Sequence, residues 1–254
     1  MTSTDRADGR APVVFLGPTL PHRRAAGLLP GADLRGPAVI GDVYRAVSGG
    51  ARVILLVDGC YERVPSVWHK EILWALANGV AVFGAASMGA LRAAETAAFG
   101  MVGIGTIFAD FRAGRLVADD EVAVLHQPAL GGYRPLSVAL VDIRATARAA
   151  VTAGVIREAA AGELLARAAR TFYAERDYPA LLAGMPDPAE RESLRAWLPG
   201  GRVERKRDDA VLALRLLASG RRRGTRAAAP FRFAHTHQWQ LLVDTEGTAP
   251  CATG

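Results

Sequence analysis

Val80-Ala81-Val82-Phe83-Gly84-Ala85-Ala86-Ser87-Met88-Gly89-Ala90-Leu91-Arg92-Ala93-Ala94-Glu95 is the stretch that decides the fold. It opens as a short apolar run, passes through a string of small residues, and from Met88 turns helical as far as residue 99, where Gly100 stops it. Upstream, Val53-Ile54-Leu55-Leu56-Val57 is a continuous β-branched and leucine run, the pattern of a strand buried on both faces, ended by Asp58-Gly59. Between the two runs, Ser66 stands where it can cap a helix that continues to Asn78 and closes at Gly79. Strand, helix, strand, helix at this spacing predicts a βαβα succession and a parallel sheet. Residues 13–16, stopped by Gly17-Pro18, read as one more strand, residues 42–47 as a short helix and residues 104–108 as a further strand.

The character changes near residue 135. Helical patterns with Gly or Pro punctuation cover residues 137–153, where Ser137 is the candidate cap, and then 157–174, 188–197 and 208–218. The expected class is α/β, a parallel-sheet βαβ core followed by a mostly α-helical C-terminal part. The expected divisions are a disordered tail over 1–11, the α/β core over 12–134, the helical part over 135–244 and a second tail over 245–254.

Composition narrows the function classes. The 254 residues are 50% hydrophobic and 22% charged, which is globular rather than disordered. No apolar run approaches the ~20 residues that span a bilayer, and the polar N-terminus has no signal region. A soluble cytoplasmic protein with no membrane partner is expected. Cys60 and Cys251 make neither a disulfide framework nor a thiolate cage. The net charge of +6 falls wholly in residues 144–254, since residues 1–143 hold 13 basic and 13 acidic groups. That half suits an acidic partner, or it is simply a solvated face; acids interleaved with the bases argue against nucleic acid. Without a P-loop or a G-x-G-x-x-G, no nucleotide cradle and no cofactor are expected.

Sites in open parallel sheets gather at the C-terminal ends of strands. At one such end Ala85-x-Ser87-x-Gly89 approximates a G-x-S-x-G elbow, whose small neighbours let a sharp turn present a hydroxyl. The backbone N–H groups of Met88 and Gly89 then face an incoming oxyanion. The plainer reading makes Ser87 a helix cap.

Lysine usage adds to this. Only Lys70 and Lys206 among the 31 basic residues are lysines, and lysine, unlike arginine, loses its proton when desolvated. Lys206, in Arg205-Lys206-Arg207-Asp208-Asp209, reads as surface charge. Lys70 shares a helix face with Leu73, Trp74 and Ala77, so its amine is a candidate general base for Ser87, or else a snorkelling side chain. Supporting candidates are His69, Asp58, Arg92 (three residues before Glu95) and the acidic Asp119-Asp120-Glu121, which reads as a solvated turn, a cation-holding cluster or a base-orienting one. Cys60, which follows Asp58-Gly59 near the sheet edge, reads as a packed thiol or a reactive one. His235 and His237 have strand-like spacing but no third ligand, so no metal is expected.

The blocks Val14-Phe15-Leu16-Gly17-Pro18, residues 54–59, Val64-Pro65-Ser66-Val67-Trp68-His69-Lys70-Glu71-Ile72-Leu73, Ser87-Met88-Gly89-Ala90-Leu91-Arg92-Ala93-Ala94-Glu95, Phe99-Gly100-Met101 and Asp119-Asp120-Glu121-Val122-Ala123-Val124 give residues 13–155 a sequence that resembles the TfuA-like family. The resemblance implies a companion of a YcaO enzyme in backbone thioamidation of ribosomally made peptides. It implies hydrolysis of the C-terminal thiocarboxylate of a ubiquitin-like, ThiS-like sulfur carrier, with sulfide released to YcaO and help in engaging the precursor peptide. The family's Ser–Lys pair maps onto Ser87 and Lys70. A non-catalytic adaptor for YcaO and peptide is the alternative, and a phosphate-bearing small molecule at the Ser87 turn is a third.

Overall fold

Five short strands, β1 (Val13–Phe15), β2 (Asp33–Arg35), β3 (Val53–Leu56), β4 (Ala81–Ala85) and β5 (Val102–Ile104), run parallel in the order β2-β1-β3-β4-β5. The computed structural model describes residues 10–60, 64–220 and 230–248. Val14 registers with Leu55, Ile54 with Val82 and Gly84 with Gly103. Because side chains alternate along a strand, the apolar runs fill two layers at once. On one face Val13, Phe15, Ile54, Leu56 and Val82 pack with Val43 of α2 (Asp42–Ser48), Ile72 and Ala75 of α3 (His69–Ala77) and Met88 and Ala93 of α4 (Met88–Thr96). On the other, Val14, Leu16, Leu55, Val57 and Phe83 pack with Ala25 of α1 (His22–Leu28) and Ala210, Ala213, Leu214 and Leu217 of α10 (Arg205–Ala218).

The remaining helices are α5 (Thr106–Arg112), which follows β5, then α6 (Leu140–Thr152), α7 (Glu158–Arg170), α8 (Tyr178–Ala183) and α9 (Pro188–Gly201), with α11 (His237–Thr248) last. Helices α6 to α9 close a core of their own around Leu140, Ile143, Leu164, Leu181 and Leu198. Helix α10 returns from that helical part to the sheet, so the second face of the α/β core is completed by residues far along the chain. Helix α11 lays Trp239, 2% exposed, against Tyr44 and Trp74, and pairs its Glu246 with Arg45.

The α/β class with a helical C-terminal part is what the sequence predicts, and several local readings are corrected. Helix α3 starts at His69, not after Ser66: the Glu71 carboxylate, itself fully buried, accepts from the Trp68 N–H at 3.0 Å, while the Ser66 hydroxyl donates to the Cys60 carbonyl. Residues 104–108 divide, because Gly105 (φ +95°) ends β5 and starts α5. Ser137 accepts from the Leu125 N–H at 2.8 Å and leaves α6 to begin at Leu140. Strand β2 and helix α1 were not predicted; Asp33-Leu34-Arg35 is a polar edge strand without an apolar run. His237 opens a helix, so the strand spacing with His235 does not exist. Helix α11 enters the expected C-terminal tail as far as Thr248. The rest of that tail, with Cys251, and residues 1–9 of the N-terminal one lie outside the described residues.

Candidate functional site

The order β2-β1-β3-β4-β5 reverses direction between β1 and β3, and crevices at such switch points receive ligands in open α/β sheets. Asp58, just past β3 and 2% exposed, spans that crevice. It accepts from the Gly17 N–H at 2.9 Å and the Thr19 N–H at 3.0 Å through one oxygen, and from the Thr19 hydroxyl at 2.5 Å through the other. The neighbouring strand end is the Ser87 turn. Ala86 is held at φ +66°, and the Ser87 N–H donates to the Ala85 carbonyl at 2.8 Å, a tight three-residue turn that L-residues adopt only under strain. The small neighbours are required by close packing. A Cβ on Gly89 would stand 1.9 Å from the Leu56 carbonyl oxygen, and one on Gly84 2.1 Å from the Gly89 oxygen. Helix α4 therefore starts almost in contact with the sheet.

Ser87 occupies the N-cap position of α4, but its side chain makes no cap bond. Its hydroxyl, in a residue 4% exposed, donates to the Val122 carbonyl at 3.3 Å. A second donor reaches the same oxygen: the Lys206 ammonium, at 2.7 Å. Lys206 is 4% exposed, in the first turn of α10. Burial pushes its amine below the usual lysine range, against the fields of Asp58 and Asp142, which favour the charged form. Asp142, on α6, accepts from the Lys206 backbone N–H at 3.2 Å, and burial raises its own carboxyl to about 6 although Lys206 acts in the opposite direction. The surface reading of Lys206 is thus overturned.

The shared carbonyl is held from the helical side. It follows a short 3-10 turn over Asp119–Glu121. Arg176, 1% exposed, donates to the Asp120 carbonyl at 2.8 Å and its carboxylate at 2.5 Å, as well as to the Ala168 and Thr171 carbonyls. Arg144 of α6 grips both oxygens of Glu121 at 3.0 and 2.8 Å. Asp120 and Glu121 are therefore ion-paired pegs for the turn that delivers Val122. Two cavities meet here, sharing Pro18 and Val124. One of about 220 Å³ is lined by Ser87, Asp58, Cys60 and His126; the other, of about 250 Å³, by Thr19, Asp142, Tyr178 and Lys206. Burial and the nearby Asp42 and Asp58 hold the Cys60 thiol above its ordinary range, which keeps it protonated.

The other predicted residues lie elsewhere. Lys70 is half-buried on α3 with its ammonium 5.2 Å from the centre of the Phe233 ring, and it lines neither cavity. His69, beside it, meets the Glu95 carboxylate at 2.7 Å, and Arg92 donates to Glu95 at 2.8 Å and to the Val67 carbonyl at 3.1 Å. That trio ties α3 to α4. Of the expected oxyanion donors, the Gly89 N–H is taken by the Val57 carbonyl at 3.2 Å, and the Met88 N–H stays open among the described residues. Asp142 and Lys206 escaped the sequence reading. For Lys206 a signal was present: it stands four, seven, eight and eleven residues before Ala210, Ala213, Leu214 and Leu217, on the apolar stripe of α10.

Fold and site together define an open parallel-sheet α/β protein in which a strand-end serine and a sealed lysine converge on one carbonyl. Residues 58–177 match the model of the family described as TfuA-like protein. No curated protein matches the chain. The matched stretch includes Asp58, Ser87, Val122, Asp142 and Arg176, and it stops short of Thr19 on one side and Lys206 on the other. Among the described residues, no group of three or more metal-ligating side chains is gathered, and no helix is long and apolar enough to cross a membrane.

Proposed function

We propose that this TfuA-like protein hydrolyses the C-terminal thiocarboxylate of a ubiquitin-like sulfur carrier and hands the sulfide to a YcaO enzyme that thioamidates a peptide backbone. The observation that carries the reading is the convergence of the Ser87 hydroxyl and the Lys206 amine on the Val122 oxygen, in a pocket where burial favours the neutral amine. Neutral Lys206 takes the Ser87 proton as the serine oxygen bonds the thiocarboxylate carbon. The adduct's oxyanion meets the open N–H of Met88. As the carbon–sulfur bond breaks, the lysine proton passes to sulfur, which leaves as hydrosulfide, and the carrier remains as an ester on Ser87. Water, giving a proton to the same amine, then frees the carrier's carboxylate and restores the hydroxyl.

This reading puts the base on Lys206 in place of Lys70, because Lys206 shares an acceptor with the nucleophile and Lys70 faces an aromatic ring. The test is sulfide release from a thiocarboxylated carrier by the wild type, Ser87→Ala, Lys206→Met and Lys70→Ala. Loss in the first two variants with retention in the third supports the pair. Release untouched by Ser87→Ala rejects the hydrolase and leaves a docking adaptor for YcaO and its peptide.

A further inference from the structure

A third cavity, of about 400 Å³, opens beside the site at the ends of β1 and α1 and shares Pro18, Thr19, Pro135, Glu204 and Arg207 with the cavity that Lys206 lines. Its wall is basic on three sides. Arg23 and Arg24 come from α1, Arg134 from the loop that follows the 3-10 turn at 129–131, and Arg207 from α10. Arg202 continues the series into the adjoining cavity, its guanidinium 4.8 Å from the centre of the Tyr178 ring. Arg23, Arg24, Arg134 and Arg202 are exposed, and none has a carboxylate partner among the described residues. Glu204, the one acidic residue on the wall, is already paired with Arg207. Three of these arginines lie in the half of the chain whose charges balance, so the fold gathers a local excess that sequence counting averages away.

Guanidinium groups without carboxylate partners around a concave mouth concentrate field there, and each offers a planar fork matched to a carboxylate. We propose that this arginine-walled trough docks an acidic polypeptide segment of the protein substrate and leads it past Pro18 and Thr19 toward Ser87. Where that segment ends rests on the hydrolase reading; the docking does not. The trough narrows into a cavity of about 250 Å³, which suits an extended chain of small residues better than stacked bases.

The experiment uses the full chain and three readouts: anisotropy of a labelled oligo-glutamate peptide, competition by a single-stranded oligonucleotide, and hydrolysis of a small acyl thioester. The triple reversal Arg23→Glu, Arg24→Glu, Arg134→Glu is expected to weaken peptide binding by about 10- to 100-fold and to flatten its dependence on salt. Thioester hydrolysis is expected to stay unchanged in that variant, and Ser87→Ala to abolish hydrolysis while keeping peptide affinity. Peptide affinity indifferent to the reversals, or an oligonucleotide that displaces the peptide at lower concentration than the peptide itself binds, overturns the proposal. A wild type that binds peptide in the expected way yet hydrolyses no thioester rejects the hydrolase reading alone.

Discussion

The chain keeps two lysines, and their surroundings could hardly differ more. At the start of α3, Lys70 sits half-buried against the face of Phe233, with His69, Arg92 and Glu95 forming a partly exposed polar clasp nearby. At the start of α10, Lys206 is sealed between the sheet and the helical part, with a backbone carbonyl for a partner and two carboxylates in its field. The face of an aromatic ring attracts a cation. An amine taken out of water moves toward neutrality. Both lysines stand in the first turn of a helix, so helix position does not separate them; what α10 packs against does.

Substitutions at the two ends sharpen that contrast, and Ser87→Ala is expected to have the largest effect. Turnover should fall by about 10³-fold or more, measured as sulfide release, while the melting temperature barely moves, since the hydroxyl makes one long hydrogen bond. Lys206→Met should cost nearly as much in rate, and Lys70→Ala less than about twofold, because only the former removes a proton acceptor. The reverse ranking would transfer the base to α3.

Next comes Arg176→Ala. It removes the donors for the Asp120, Ala168 and Thr171 carbonyls and releases the turn that carries Val122, so unfolding in denaturant should come about 2–4 kcal/mol sooner. Turnover should fall as well.

The pH dependence tests the electrostatics of the sealed amine. The rate should rise with pH through a Lys206 value below the ordinary lysine range, because only the neutral amine accepts a proton. Asp142→Asn removes a field that favours the charged amine, so the rising limb should move to lower pH. Stability follows the same sign. Unfolded lysine holds its proton up to its ordinary value and the folded amine gives it up earlier, so this group makes the fold more stable as pH climbs between the two. Asp142 acts in the opposite sense: its folded value of about 6 lies above the unfolded one, so its contribution is present at acid pH and declines as pH rises through 6.

The smallest change is expected from Ala86→Gly. Relief of the φ of +66° and the added freedom of the unfolded chain nearly cancel, leaving stability within about 1 kcal/mol of wild type in the same denaturant titration.

The sheet was legible because strands buried on both faces must be apolar throughout, and residues 53–57 and 80–83 are. Strand β2 was not, since an edge strand of Asp33-Leu34-Arg35 needs no such run and is placed by β1 alone. Ser87 could be found because close packing of α4 on β3 forces small residues into its own neighbourhood. Its partner could not be found that way. Lys206 is flanked by Arg205 and Arg207, and three consecutive residues of a helix point in three directions, so local polarity says nothing about which one enters the core. The acidic 119–121 run misled for a related reason: its charges look solvated until Arg144 and Arg176, both from the helical part, are placed against them.

The Val122 oxygen, with a donor from each side, also has a meaning in time. Synthesis runs from the N-terminus, so the serine turn, its strand and the carbonyl emerge well before α10 is made. Until α10 folds back across the sheet, the hydroxyl has no amine beside it. On the proposed mechanism, a chain whose α10 has not yet reached the sheet lacks the amine that would activate Ser87.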